Sequence, residues 1–369
     1  MNLELTEEQV ALRDTVRRFL AEKAPVSGHA RELLDDPRGT TDTVWQGLAD
    51  LGTTGLLVPE ECGGAGMTMV EAGIVAQELG AALHPGPWLS SAVTATRALT
   101  RQGQDFEGRV KLLTGIADGT TIATVVGLGN ADTTAAIEHD DGVRLCGDIG
   151  AVPDAAAARV LLVLAEDRGG TGLFEVDAAS AGVTVTREDG IDATRKHFRV
   201  TLDDAAARRL AAPAADVVTA VVDDALIAAA ADALGAARTV MQMAIEYAKV
   251  RQQFGQPIGS FQAVQHLCVD MFETVELARS GVIHALWAAD NADAAERHLS
   301  AVRAKAFSGQ LASVGDTAIQ VFGGIGYTWE HDAHLYLKRL LSWSQFLGGP
   351  DRYLEEIGAS LTKSLGGLP

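Results

Sequence analysis

The chain has 369 residues, 47% of them hydrophobic and 21% charged, which is enough to bury a core in two or three packed units. Its 49 acidic residues outnumber the 30 lysines and arginines, and the formal charge of −19 disfavours nucleic acid and anionic membranes as partners. The sequence has no apolar stretch of about 18 residues and does not begin like a secretory signal. We therefore expect a soluble cytoplasmic protein.

The first hundred residues carry helix signals. Thr6 and Gln9 form a capping-box pattern ahead of apolar positions that share one helical face. Hydrophobic spacing predicts further helices over residues 43–51 and 67–83. We predict an N-terminal helical domain over residues 1–105.

The middle of the chain changes to short β-rich runs that are separated by glycine, aspartate and proline. These runs cover residues 121–126, 143–146, 160–164, 173–176, 183–186 and 197–202. Short strands at this spacing are typical of a small antiparallel domain. We predict a β-barrel-like domain over residues 106–212.

The last third of the chain is helical again. Helices are predicted over residues 217–250, 294–322 and 334–346, and Ser260 is predicted to cap another. The apolar positions of that helix are Phe261, Val264, Leu267, Cys268, Met271 and Val275. Because such a stripe needs neighbouring helices to cover it, we predict a four-helix bundle over residues 213–369, and hence an α+β fold of helices, β-barrel and helices.

Two segments that end helices carry the main functional signal. They are YAKVRQQFGQPI, residues 247–258, and QVFGGIGYT, residues 320–328. Arg251 offers a forked guanidinium that suits a pyrophosphate, and Gln262 and Gln320 offer amides that suit sugar hydroxyls. Gly323 and Gly324 allow backbone to approach a ligand closely. Taken alone, the first segment is more often a surface arginine before a turn, and the second is more often a helix C-cap and turn.

Together, on a chain of this organisation, the two segments resemble the acyl-CoA dehydrogenase family over essentially the whole sequence. Residues 57–64, LVPEECGG, are also similar to that family's VPEEYGG loop. The resemblance implies contacts to an FAD that is bound largely by a neighbouring subunit. The residues to which it assigns these contacts are Arg251, Phe254, Gln262, Gln320, Gly323 and Gly324.

The resemblance also implies an activity and partners. Family members remove the α-proton of an acyl-CoA thioester with a glutamate while the β-hydrogen leaves as hydride to FAD. This predicts α,β-desaturation of an acyl-CoA, an electron-transfer flavoprotein as acceptor and a tetrameric assembly.

The catalytic base is missing where the family pattern places it. The usual position, directly before a glycine, holds Leu347 before Gly348. A second position used by some members falls at Ala225, and the preceding Asp223 and Asp224 are one methylene shorter than glutamate. The catalytic residues of this chain are therefore left unassigned.

The stretch that cradles the flavin also departs from the family pattern. Residues 125–134 read VVGLGNADTT where the family has a TEPxAGSD-like stretch, and the later W-[IV]-T stretch has no tryptophan. The chain thus keeps the residues that contact a neighbour's FAD and lacks much of the stretch that cradles its own. This combination resembles the partner subunit of heteromeric acyl-CoA dehydrogenases. Residues 328–339, TWEHDAHLYLKR, resemble a shorter actinobacterial branch, many members of which act on steroid or other bulky acyl-CoA thioesters.

Three functions therefore stay open. The first is a subunit of a heteromeric dehydrogenase, a heterotetramer in which another chain donates the base. The second is a self-sufficient homo-oligomer that uses Asp223, Asp224 or another acid. The third is a structural subunit that is catalytically silent.

A metal site is not predicted. Glu330, His331 and His334 have a spacing that could place ligands on one helical face, but the sequence nearby supplies no third compatible histidine or cysteine. Glu330 also matches a family carboxylate that serves structure. The three cysteines, which are Cys62, Cys146 and Cys268, are scattered and show no ligand or disulfide spacing.

Overall fold

The computed structural model describes residues 4–101, 108–129, 134–139, 142–167, 170–212 and 215–365. Its contacts divide the chain into two units. The helical unit contains the described residues of 1–28, 73–84 and 226–369, and the β-rich unit those of 29–72 and 85–225. The order of helices, β strands and helices is as predicted, whereas the domain boundaries at 105 and 212 stay a prediction.

Among the described residues, five α-helices precede the sheet. They are α1 (Glu7–Lys23), α2 (Asp42–Asp50), α3 (Met69–Ala81), α4 (Thr96–Thr100) and α5 (Arg109–Ala117). The predicted capping box is confirmed, because the Gln9 backbone N–H donates to Thr6 Oγ1 at 3.3 Å and the Thr6 N–H donates to Gln9 Oε1 at 3.0 Å. A π-helical turn, Leu89–Ala95, leads directly into α4.

The β-rich unit contains a barrel-like sheet. Its strands are β1 (Ala123–Val126), β2 (Thr134–His139), β3 (Gly142–Pro153), β4 (Val160–Asp167), β5 (Gly170–Asp177), β6 (Val183–Glu188) and β7 (His197–Ala211). The pairings β4–β2, β2–β3, β3–β7, β7–β5 and β5–β4 close a ring, which confirms the barrel-like domain. β1 pairs with β4 in parallel, with Ala123 opposite Val160, so the sheet is not purely antiparallel.

Six helices follow the sheet. They are α6 (Ala215–Val250), α7 (Gln262–Asn291), α8 (Ala294–Ser308), α9 (Leu311–Phe322), α10 (Ala333–Gln345) and α11 (Pro350–Leu365). A short hairpin, β8 (Gln252–Gln253) and β9 (Gln256–Pro257), joins α6 to α7. The single helix predicted over 294–322 is two helices. No helix in the described ranges is both long and apolar enough to cross a bilayer.

The predicted cap of α7 is wrong. Phe261 is the N-cap residue, and its side chain makes no capping hydrogen bond. Ser260 instead ends the preceding 3-10 turn, where its hydroxyl donates to the Pro257 carbonyl at 2.7 Å. The Ser260 hydroxyl thus belongs to the 3-10 turn that precedes α7, and it does not cap the first N–H groups of α7.

Two glycines allow α3 and α6 to touch. A Cβ on Gly80 would lie 1.9 Å from the Asp232 carbonyl oxygen, and one on Gly235 would lie 1.9 Å from the Gln77 carbonyl oxygen. Beside this crossing, Asp232 of α6 forms a buried ion pair with Arg339 of α10, at 3.0 Å. Backbone contact and ion pair together fix α3, α6 and α10 in the helical unit.

A fully buried lysine closes the end of α10. The Lys305 ammonium donates to the Trp343 carbonyl at 2.5 Å and to the Ser344 carbonyl at 3.2 Å. It also lies 3.9 Å from the centre of the Trp343 ring. Burial lowers the pKa of Lys305 to about 7. The positive end of a lysine thus meets the negative end of a helix in a dry environment.

The depressed pKa of Lys305 predicts a rise in stability with pH. In the unfolded chain the lysine stays protonated up to about pH 10, so between about pH 7 and pH 10 the unfolded state binds more protons than the folded state. We expect the free energy of unfolding of the wild type to rise, relative to that of Lys305→Met, by up to about 1.4 kcal/mol per pH unit in this window. Urea unfolding of both proteins at several pH values measures this. A difference that is flat or falls with pH would contradict it.

Candidate functional site

Arg251 stands where α6 ends and the hairpin begins. Its backbone N–H donates to the Tyr247 carbonyl at 2.9 Å, and its carbonyl accepts from the Ile258 N–H at 2.8 Å. Phe254 and Gly255 form the hairpin tip with φ of 54° and 80°, and the Phe254 side chain is 92% exposed. The backbone at Arg251 is therefore held from both sides while its side chain lies on the surface.

The second segment, residues 320–328, has backbone exposed to solvent at Gly323 and Gly324. α9 ends at Phe322, and Gly323, with φ of 63°, begins the 3-10 turn Gly323–Tyr327. A Cβ added at Gly323 or Gly324 would meet no atom within 4 Å, so the space beside this backbone is free. Gln320 is exposed on the last turn of α9. The turn can thus present backbone N–H groups to a ligand.

A ladder of aromatic rings brings the two segments together. The Tyr247 ring lies 5.1 Å from the Phe322 ring, and the Phe322 ring lies 4.3 Å from the His331 ring, measured between centroids. Tyr247 is one helical turn before Arg251, and Phe322 precedes Gly323. The ends of α6 and α9 are therefore neighbours, which the sequence segments alone did not reveal.

Gln262 belongs to the same region through the hairpin. It is the first residue of α7 and is exposed, and the preceding Phe261 packs edge-on against Phe254 with ring centres 6.1 Å apart. No hydrogen bond joins any two of the six predicted side chains or backbones across the described part of the site. Arg251, Phe254, Gln262 and Gln320 all face outward, so the site is a surface and not a pocket within this unit.

Large apolar side chains are exposed beside these groups. Val250 is 70% exposed, Tyr327 69% and Trp329 62%. Trp329 is held in place by the edge of His334, with ring centres 4.6 Å apart, and by the Lys338 ammonium 5.2 Å from its ring centre. Exposed aromatic side chains of this size are typical of a binding surface.

Three large apolar side chains are exposed on the outer side of α7. Val269, Phe272 and Leu277 are 59%, 55% and 65% exposed. Of the six positions in the predicted apolar stripe of this helix, only Met271 and Val275 are fully buried. The apolar stripe at the beginning of α7 is therefore only partly covered by neighbouring helices of this chain.

The position that the family resemblance assigns to the catalytic base holds an aliphatic residue. Leu347 follows α10 with φ of 54°, and its carbonyl accepts from the Tyr353 hydroxyl at 2.7 Å. The next residue, Gly348, has φ of 112°. An aliphatic side chain at this position cannot accept a proton.

The two aspartates near the alternative position lie inside the β-rich unit. Asp223 and Asp224 are both 0% exposed. The Asp224 carboxylate accepts two hydrogen bonds from Arg101, at 2.5 and 2.8 Å, and Arg97 lies 3.6 Å away. A carboxylate neutralised by two guanidiniums serves as an ion-pair partner and is a poor proton acceptor.

The segment that replaces the family's flavin cradle is described only in part. Val125 and Val126 end β1 and are buried, while residues 130–133 lie outside the described residues. Val125 belongs to the apolar core of the β-rich unit. The start of this segment therefore packs inward.

The suspected metal ligands have other roles. The His331 ring packs at a tilt of 49° against the Phe322 ring, and its Nδ1 accepts from the Ala333 N–H at 3.1 Å. His334 is mostly buried against Trp329. Among the described residues, no three histidine, cysteine or acidic side chains are grouped so that they could hold a metal.

Comparison with known proteins agrees with this architecture. Residues 6–120 match the acyl-CoA dehydrogenase N-terminal domain, and residues 215–361 match the acyl-CoA dehydrogenase C-terminal domain. The chain is 32% identical to the acyl-CoA dehydrogenase IpdE2 of Mycobacterium tuberculosis over 97% of this chain and 98% of the relative. It is 35% identical to the acyl-CoA dehydrogenase FadE34 of the same organism over 96% of this chain, but it spans only 48% of FadE34.

A solved assembly of two different chains has the same fold. The ChsE4–ChsE5 complex from Mycobacterium tuberculosis contains a chain that matches with a TM-score of 0.90 and 28% identity, over 100% of both chains. The matched domains, the identity to IpdE2 and the helices–barrel–helices order agree with one another. The chain belongs to the acyl-CoA dehydrogenase family of flavin-dependent oxidoreductases.

Proposed function

We propose that this chain is one subunit of a heteromeric acyl-CoA dehydrogenase. It completes the binding site of an FAD whose reactive ring lies in a companion chain, and the companion supplies the catalytic base. The observation that carries the proposal is that Arg251, Gln262, Gln320 and the Gly323–Gly324 backbone are kept together on an exposed surface while Leu347 occupies the base position.

The exposed groups fit the nucleotide part of FAD. Arg251 has a planar fork of donors that matches the pyrophosphate, and the open backbone at Gly323 and Gly324 adds N–H donors without side-chain obstruction. Gln262 and Gln320 can exchange hydrogen bonds with sugar hydroxyls. When bound, FAD supplies the hydride acceptor, and the residues of this chain hold and orient its nucleotide.

The relatives support a companion chain. FadE34 is about twice as long as this chain, as its 48% coverage shows, and ChsE4–ChsE5 is a complex of two chains. The apolar residues Val269, Phe272 and Leu277 on α7 give the companion a surface to cover. We propose an acyl-CoA thioester as substrate and an electron-transfer flavoprotein as acceptor, as the family membership implies.

Loss of the Arg251 guanidinium should weaken FAD retention. If the fork contacts the pyrophosphate, Arg251→Ala removes a charge-assisted contact worth about 1.5–3 kcal/mol, which corresponds to about 10- to 150-fold weaker binding. The measurement is the flavin absorbance per assembly after co-purification with the companion, with Arg18→Ala, an exposed arginine of α1, as control. Equal flavin content in all three proteins, or a stoichiometric FAD on the isolated chain, would overturn the proposal.

A charge on the outer face of α7 should separate the subunits. Phe272→Glu would place a carboxylate in the apolar surface that the companion covers, so we expect less companion to co-elute in size-exclusion chromatography. Ile191→Glu is the matched control, because Ile191 is also 55% exposed but lies in the β-rich unit. Co-elution of the companion with the Phe272 variant at the wild-type level would exclude this face as the interface.

Asp224 should prove structural and not catalytic. Asp224→Asn leaves the partly buried Arg101 without its counter-charge, so we expect the free energy of unfolding to fall by about 3–5 kcal/mol. Asp216→Asn, at an exposed position in the first turn of the same helix, should cost less than about 1 kcal/mol. Urea unfolding tests both variants. An Asp224 variant of wild-type stability that has lost its activity would instead favour a self-sufficient enzyme with an aspartate base.

A further inference from the structure

A groove in the helical unit lies apart from the flavin-contacting surface. It has a volume of about 620 Å³ and is lined by residues of α1, α3 and α6. Gly235 and Ala81 contribute little side-chain volume to its lining, and the glycine that lets α3 and α6 touch also leaves this space open. The groove is therefore a direct consequence of the tight helix crossing.

Three arginines converge near this groove, and two of them have carboxylate partners. Arg17 binds Glu78 with two hydrogen bonds, at 2.9 and 2.8 Å, and Glu78 is only 6% exposed. Arg279 lies 3.5 Å from Glu276. These two pairs are internally neutral.

Arg238 is the third arginine and lacks such a partner. Its one hydrogen bond within the described residues is from Nη1 to the neutral amide oxygen of Gln77, at 3.4 Å. Partial burial lowers the pKa of Arg238, and the charges of Arg17 and Arg279 act in the same direction, against the opposing effect of the nearby glutamates. A guanidinium whose one hydrogen bond is long and goes to a neutral group is an incomplete arrangement.

The other acidic residue in the groove lining, Glu246, does not provide the counter-charge for Arg238. Glu246 receives hydrogen bonds from Gln242 at 2.8 Å and from the Lys249 ammonium at 2.6 Å, so its charge is already compensated. Arg238 therefore leaves one positive charge in excess at the groove. Since a guanidinium has five N–H donors, most of those on Arg238 remain available to a ligand.

We infer that this groove binds a small oxyanion, a phosphate or a carboxylate, on the guanidinium of Arg238. The planar fork of an arginine matches the two oxygens of either group. Anion binding in this groove would not need a companion chain, whereas the proposed FAD binding does. It would give the helical unit a binding site for free anions.

Calorimetric titration of the purified full chain with inorganic phosphate and, separately, with acetate tests the inference at constant ionic strength. We expect saturable binding of one anion per chain, which Arg238→Gln weakens at least about tenfold and Arg238→Lys weakens less, because lysine keeps the charge without the fork. Arg18→Gln, a matched change on α1, should bind like the wild type. Binding of phosphate but not acetate, or the reverse, identifies the preferred oxyanion and supports the inference.

Gln77→Glu gives an independent test that keeps Arg238 in place. The new carboxylate would stand where the Gln77 amide now accepts from Arg238, so it should act as an internal counter-ion and abolish anion binding without unfolding the protein. The inference is overturned if neither anion binds saturably to the wild type, or if Gln77→Glu and Arg238→Gln bind as the wild type does. It is also overturned if Arg238→Gln changes only the association with a companion chain.

Discussion

The buried ion pair between Asp232 and Arg339 fixes the geometry on which the candidate site depends. It joins α6 to α10, and Arg339 also donates to the His84 carbonyl at 3.4 Å, just beyond α3. Removing one partner from such a pair leaves a buried charge without compensation, which costs several times more than the intact pair contributes. Arg251 directly follows α6 and α10 follows the 3-10 turn Gly323–Tyr327, so this pair joins the two helices that adjoin the segments of the site.

The exposure of the site has an electrostatic consequence. A guanidinium and a few backbone N–H groups on an open surface bind an anion weakly, since water and salt screen them. The same groups become much stronger donors once a second chain excludes water from around them. An FAD site divided between two chains therefore binds tightly only in the assembly. In the proposed assembly the exposed apolar residues of α7 and the outward position of Arg251 serve one purpose, because association creates the environment that the cofactor contact needs.

Local patterns in the sequence predicted much of the fold, whereas contacts between residues far apart in the sequence could not be predicted from them. The Thr6 capping box depends on neighbours three residues apart, so it could be predicted. β2, TAAIEH, was missed because its alanines and glutamate have low strand propensity, and its pairing with β3 decides its conformation. The site residues were found through motif resemblance and remain predictions. The Tyr247–Phe322 contact that joins them spans 75 positions, and no spacing rule predicts it.

The loop after α10 shows how a chain of this family can lose an acid without losing its fold. The Leu347 carbonyl is bound by the Tyr353 hydroxyl, Gly348 takes a positive φ, and the end of α10 is held by Lys305. None of these interactions uses the side chain at position 347. Replacing a glutamate by leucine at such a position therefore costs little stability, whereas the backbone of the loop stays constrained. In the proposed assembly, whose companion provides the base, the loop backbone is kept while position 347 needs no acid.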